Sequence, residues 1–194
     1  MSKKALVVVA DGSEEMEAVI CIDVLRRAQV SVMTASLGFK TVVCSRQVTL
    51  VADSTLSDID ASSFDIVVLP GGLGGAQAFA ASTDLHSLLR SFESSGRIIA
   101  AICAAPIALA PAQVAKDKRI TSHPSMKTQL QESKWFKEYA GDEERVVVDG
   151  NLITSRGPGT SFEFALSIVK KLVGVEKANE VAGPMVLPSG FVIV

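Results

Sequence analysis

The chain has 194 residues, 48% hydrophobic and 21% charged, the composition of a folded domain and not of a disordered tract. Nineteen basic against 21 acidic side chains leave a net charge of −2, and only 5% of residues are aromatic, which argues against a nucleic-acid surface or a base-stacking platform. Three cysteines cannot build a disulfide framework, and a chain this long buries roughly 70% of its unfolded surface without one.

From the N-terminus, Met1-Ser2-Lys3-Lys4 leads into an apolar run at 4–10 that is too short for a signal-peptide core and is read as a strand. A helix is expected over 14–28, with Met16, Val19, Ile20, Val24 and Leu25 at three- and four-residue intervals as its apolar positions. A strand follows at 30–35, then two short β-type runs at 41–44 and 48–51 that suggest an antiparallel excursion. Residues 64–69 form an apolar strand that ends at Pro70-Gly71-Gly72. A helix over 83–94 carries Leu85, Leu88, Leu89 and Phe92 on one face, and a buried strand at 97–102 leads into a further helix.

The uncharged run 98–115 is about as long as a membrane span. Its alanines and Pro106 and Pro111 fit a buried strand turning into a buried helix instead, so no membrane is expected. The last third reads as a short strand at 119–122, a hairpin turning at Asp149-Gly150, and a long amphipathic helix over 162–173. Alternating strands and helices, with strands apolar on both faces, describe one α/β domain over residues 1–194, with 188–194 a tail. In such a sheet the working site lies beyond the carboxyl ends of the strands, here at 11–15, 70–75, 103–106, 123–124 and 156–160.

No phosphate-binding glycine motif opens the first helix, where Glu14 and Glu15 would repel a pyrophosphate, and the histidines and cysteines lack metal spacing. Cys103 stands out. It ends a buried strand at a bend flanked by small alanines, which holds a nucleophile outward, and a helix starting behind it would favour the thiolate. The residues alone leave buried filler open as the alternative. The glycines after Pro70 suit backbone N–H groups converging on an oxyanion, although a plain tight turn also explains them. Acidic residues in a first helical turn suit the dipole, but one of Glu14, Glu15 and Glu17 pointing inward would share a proton with a thiol. His86 and Cys21 read as structural, and Cys44 as partly exposed with no activator.

The stretches Glu14-Glu15-Met16-Glu17, Cys44-Ser45-Arg46, Val67-Val68-Leu69-Pro70-Gly71-Gly72, Ala100-Ala101-Ile102-Cys103-Ala104, His123-Pro124 and the twelve residues 154–165 resemble the ThiJ/PfpI superfamily, specifically its parkinsonism-associated deglycase branch. The resemblance runs from Lys4 to about Leu187. It implies a flavodoxin-like three-layer α/β sandwich with a mostly parallel sheet, helices on both faces and a nucleophile elbow, usually assembled as a homodimer. Carried over by motif, Cys103 is the nucleophile, Glu17 the acid hydrogen-bonded to it, and His123 a general acid or base. Gly72 and Ala104 supply N–H groups to an oxyanion, and Arg46 and Arg27 lie near the dimer interface. Ala104 stands where protease-like members carry His, which speaks against a protease triad, and Ala105 stands where many relatives have Gly.

The implied activity is glutathione-independent conversion of methylglyoxal and glyoxal to lactate and glycolate, with related deglycase action on early glycation adducts. It requires neither metal nor organic cofactor, and its partners are small reactive dicarbonyls, not nucleic acid. The alternative is a non-enzymatic oxidative-stress sensor or chaperone in which the same cysteine becomes a sulfinic acid. Cysteine usage points to a reducing, cytoplasmic setting. The tail 189–194 is expected to add an edge strand, cover an apolar groove or fray.

Overall fold

The computed structural model describes residues 2–194. In chain order, β1 (Lys4–Val9) leads to α1 (Glu15–Arg27) and β2 (Ser31–Ser36), then to the short strands β3 (Thr41–Val43), β4 (Thr49–Val51) and β5 (Ser54–Thr55). Next come β6 (Ile66–Leu69), α2 (Leu73–Ala81), α3 (Thr83–Ser94) and β7 (Ile98–Ile102). The remainder holds β8 (Arg119–Ile120), α4 (Lys127–Glu132), β9 (Glu138–Tyr139), β10 (Val146–Asp149), β11 (Leu152–Ser155), α5 (Ser161–Val173) and α6 (Val175–Ala182).

Seven strands form the central sheet in the order β10-β11-β7-β6-β1-β2-β5, parallel throughout except for the β10–β11 hairpin. Gly150 takes φ +62° in that hairpin's turn, as the Asp-Gly pair predicts. The middle of the sheet is apolar on both faces: Ala5 to Val8 and all of β6 are inaccessible to solvent. This is what helices on both sides require. α1 packs on α5, and α5 on β7 and β11, while α3 packs on β6 and β7 beside α2. The chain leaves β1 toward β2 but leaves β6 toward β7 in the opposite direction, so right-handed crossovers place the two helix groups on opposite faces. The strand order therefore reverses beside β1 and β6, and a crevice opens there beyond their carboxyl ends.

Several expectations need correction. On α1 the buried face is Glu15, Glu17, Ala18, Cys21, Val24 and Leu25, while Met16 and Val19 are 52% and 47% exposed. The helix has apolar side chains on two faces, and spacing alone cannot say which one meets the core. No α-helix directly follows β7. A four-residue 3-10 turn, Ala105–Ala108, is followed by irregular turns, because Pro106 and Pro111 lack the N–H groups that a helical ladder needs. Among the described residues no helix is long and apolar enough to cross a membrane. The glycine-rich segment taken as a loop through Gly75 is already helical from Leu73. The excursion at 41–51 is the antiparallel pair β3–β4, and only Arg119 and Ile120 of the 119–122 run pair as a strand, with β9. The tail forms neither helix nor strand, and seats Phe191 and Ile193 against the core.

Candidate active site

Three strand ends meet at the crevice. β7 ends in Cys103, whose φ of +64° is the left-handed conformation that costs a non-glycine residue roughly 1–2 kcal/mol. The surroundings hold it there: the Cys103 N–H donates to the Ser155 carbonyl (3.0 Å), and the Cys103 carbonyl accepts from the His123 N–H (2.8 Å). The side chain is only 9% exposed and opens into a cleft of about 250 Å³, walled by Glu14, Arg46, Gly72, His123, Met126 and Pro158 among others.

β6 ends in Pro70-Gly71-Gly72, and each glycine is needed for a different reason. A Cβ on Gly71 would lie 2.5 Å from Cys103 Cβ, 2.7 Å from Glu17 Oε2 and 2.9 Å from the Ile102 carbonyl. Gly72 has φ +79° and backs onto the Gly12 carbonyl and the Glu14 N–H. Gly71→Ala is therefore expected to cost roughly 1–3 kcal/mol through overpacking. That lowers the thermal midpoint by about 2–4 °C per kcal/mol. Calorimetry together with the rate of Cys103 alkylation checks this, since the same methyl group separates Glu17 from the sulfur. Gly71 was not singled out in the sequence, although the Gly-Gly pair at a strand end is its signal.

β1 leads into α1, whose first turn carries Glu17, a fully buried carboxyl. Its Oε2 accepts from the Gly71 N–H at 2.6 Å, and its Oε1 is buried with no hydrogen-bond partner, which leaves Oε1 as the oxygen to carry a proton. Burial raises Glu17 to about 7, against the pull of the Gly71 N–H and of Cys103, with the charge of Glu14 adding to the rise. Burial and the charge of Glu17 push the Cys103 thiol up to about 12, while the N–H groups of Gly72 and Ala104 pull it down. Of the two influences the sequence suggests, a helix dipole and an inward acid, only the acid is present, because the turn behind the sulfur is too short to have a dipole. What the site holds is a pair sharing a proton. Once the carboxyl is protonated, its repulsion of the thiolate disappears and it becomes a donor to the sulfur.

The remaining acids of the first helical turn have their own tasks. Glu14 Oε2 accepts from Ser45 Oγ at 2.6 Å, and Glu15 accepts from Ser45 Oγ and the Arg46 N–H. Both fasten the loop between β3 and β4 to α1 and so bring Arg46 to the cleft wall. Arg46 is exposed, with its guanidinium on the Ser45 carbonyl. Arg27 does not reach the cleft; it lines a separate groove with Val19, Ile20, Phe162, Pro184 and Met185. His123 is half-buried on the cleft wall, its Nδ1 turned to Ser125. Ser45 and Met126 were not predicted as part of the cleft, since the turns that deliver them leave no periodic trace. Cys44 is buried, 2% exposed, against expectation, and burial next to Glu15, Glu14 and Asp11 raises its thiol to about 11. Cys21 is core, and His86 anchors to the Phe79 carbonyl.

The model of the DJ-1/PfpI family matches residues 3–171. The chain is 54% identical over 183 residues to Protein dj-1beta of Drosophila melanogaster, covering 94% of this chain and 96% of that one. It is 36% identical over 186 residues to Glutathione-independent glyoxalase DJR-1.2 of Caenorhabditis elegans, covering 95% and 97%. The crystal structure of Drosophila melanogaster DJ-1beta superposes with a TM-score of 0.92 at 52% identity, over 97% of this chain and all of that one.

Proposed function

The chain belongs to the DJ-1/PfpI family, and from that premise we propose that it is a cysteine-dependent, glutathione-independent glyoxalase, with related deglycase activity on early glycation adducts. The observation that carries this reading is the cleft-facing Cys103 at φ +64°, paired with a buried carboxyl at about 7. A relative at 36% identity that bears the name of a glutathione-independent glyoxalase supports it.

The Cys103 thiolate adds to the aldehyde carbon of methylglyoxal, and the oxyanion faces the N–H groups of Gly72 and Ala104. Protonation of that oxygen gives a hemithioacetal. The sulfur-bearing carbon then gives its proton to the Glu17 carboxylate, the enediol forms, and a proton returns to the neighbouring carbon with His123 beside it. The product of this shift is a lactoyl thioester, which one water cleaves to lactate and free thiol. Carbon 1 is oxidised and carbon 2 reduced by the same amount, so the sequence balances with a single water and no outside oxidant. Identification of lactate after incubation with methylglyoxal in the absence of glutathione tests the reading, and no lactate above the protein-free rate rejects it.

A second reading, the oxidation sensor, is favoured by one feature: Glu17 Oε1 is a buried oxygen without a partner, free to hydrogen-bond a sulfinate on Cys103. A mass gain of about 32 Da (two oxygens) after mild peroxide, with no lactate from the untreated protein, would select it.

The proposal extends to assembly and setting. Met16 and Val19 on α1 and Phe162 on α5 leave apolar surface open beside the groove that holds Arg27, and a second copy of the chain would cover it. Doubly substituted Met16→Lys, Val19→Asp protein is expected to run at half the wild-type mass by light scattering; a wild-type protein already at the mass of one chain rejects the dimer. Three unpaired cysteines, all buried, suit a reducing, cytoplasmic compartment.

A further inference from the structure

We propose that Ser125 is a positioning residue that fixes the tautomer of His123, so that the imidazole meets the substrate as a proton donor through Nε2–H and leaves the role of base to Glu17. The inference rests on the glyoxalase reading above and assigns the roles within it.

Two groups of Ser125 act on a single ring nitrogen. The Ser125 N–H donates to His123 Nδ1 at 3.2 Å, and the Ser125 hydroxyl lies 2.7 Å from the same atom. A hydroxyl can turn either way, but a backbone N–H can only donate. The N–H sets the direction, making Nδ1 the acceptor, and the hydroxyl, at the shorter distance, then donates too and supplies the larger share of the preference. Neutral His123 then carries its proton on Nε2, the only other polar atom of the ring. The rest of the residue is equally fixed. Its N–H is held by the Cys103 carbonyl at 2.8 Å, its carbonyl accepts from Ser122 Oγ at 3.0 Å, and Pro124 stiffens the 3-10 turn that brings Ser125 back over the ring.

The consequence for the reaction follows from inventory. A neutral ring with Nε2–H can give a proton to, or hydrogen-bond, the second oxygen of an α-oxoaldehyde, but it cannot accept the proton leaving carbon. Glu17 is the fully buried carboxyl next to Cys103 and has an oxygen without a hydrogen-bond partner, whereas Glu14, the carboxyl on the cleft wall, is bonded to Ser45. It takes that proton when ionised. The ligand class is accordingly a vicinal dicarbonyl whose two oxygens are handled differently, one by the N–H groups of Gly72 and Ala104 and the other by His123.

The test is long-range nitrogen–proton NMR of the His123 ring at a pH where it is neutral, in wild-type, Ser125→Ala and Ser125→Thr proteins, with turnover of methylglyoxal measured in parallel. Expected are a wholly Nε2–H ring in wild type and in Ser125→Thr, and a mixture of tautomers in Ser125→Ala. With that mixture kcat falls by about tenfold, against the hundredfold or more that loss of a general acid costs, and the threonine hydroxyl restores it. An Nδ1–H ring in wild type overturns the inference, as does an alanine variant with unchanged ring and unchanged kcat. The expected NMR pattern without lactate from any of the three proteins rejects the glyoxalase reading and leaves the tautomer assignment standing.

Discussion

Cys103→Ser protein is expected to form lactate from methylglyoxal at least about a thousandfold more slowly than wild type, the scale of losing a covalent nucleophile. Serine keeps the shape of the side chain and tolerates the same φ of +64°, so the circular dichroism spectrum and thermal midpoint are expected to stay close to wild type. The loss is chemical. A serine hydroxyl next to Glu17 has no base strong enough to ionise it, whereas a thiol shares its proton with a carboxyl at about 7. Retention of even a tenth of the turnover at unchanged stability would remove the covalent adduct from the reaction and the elbow from the site.

The strands and the bend at Cys103 were legible because each depends on local chemistry: fully apolar runs of β-branched residues, closed by Gly-Gly or by Cys-Ala-Ala-Pro. The partner of the sulfur was not. Glu17 lies on the buried face of α1 among Ala18, Cys21, Val24 and Leu25, where a pattern of apolar spacing predicts no carboxylate, and only motif resemblance pointed to it. Its burial is tolerable because the Gly71 N–H, delivered from a different strand, satisfies one oxygen. Met16 and Val19 misled for the opposite reason, being apolar residues kept at the surface. α2 was hidden by its composition. Leu73-Gly74-Gly75 reads as a turn, yet Gly74 and Gly75 are where the helix start crosses the backbone of Gly12 and Ser13, and their lack of side chains lets it pass. Sequence reports what a residue prefers; closeness between strand ends 50 residues apart is a property of the sheet order.

Replacement of Glu17 by glutamine is expected to move three observables in directions that no simple loss of structure reproduces. Turnover falls by about 10²–10⁴-fold, because an amide cannot accept the carbon-bound proton. Alkylation of Cys103 at pH 7–8 becomes faster, not slower: the charge that helps to push the thiol up to about 12 is gone, and an amide NH₂ in the place of Oε1 can donate to the sulfur while the amide oxygen keeps the Gly71 N–H. Stability changes with a definite sign. Glu17 is raised from 4.5 to about 7 in the folded protein, so the folded state binds its proton more tightly than the unfolded chain does. The stabilisation this gives is fully present below about pH 4.5 and is lost as the pH rises through 7, a decline of roughly 3 kcal/mol. Glutamine does not titrate. The variant should therefore match wild type near pH 4.5 and exceed it at pH 8, with midpoints about 2–4 °C higher per kcal/mol gained. Acids held below the usual carboxylate range, such as Asp53 by the Thr34 N–H and Asp65 by the Lys4 N–H, titrate below this window and are common to both proteins. Parallel stability curves from pH 4.5 to 8 would mean that the carboxyl is ionised throughout, and the shared proton on which both the adduct and its rearrangement depend would be absent. A wild-type enzyme less stable at neutral pH than its inactive variant is the outcome the geometry demands, since the uncompensated oxygen that weakens the fold is the one that takes the proton.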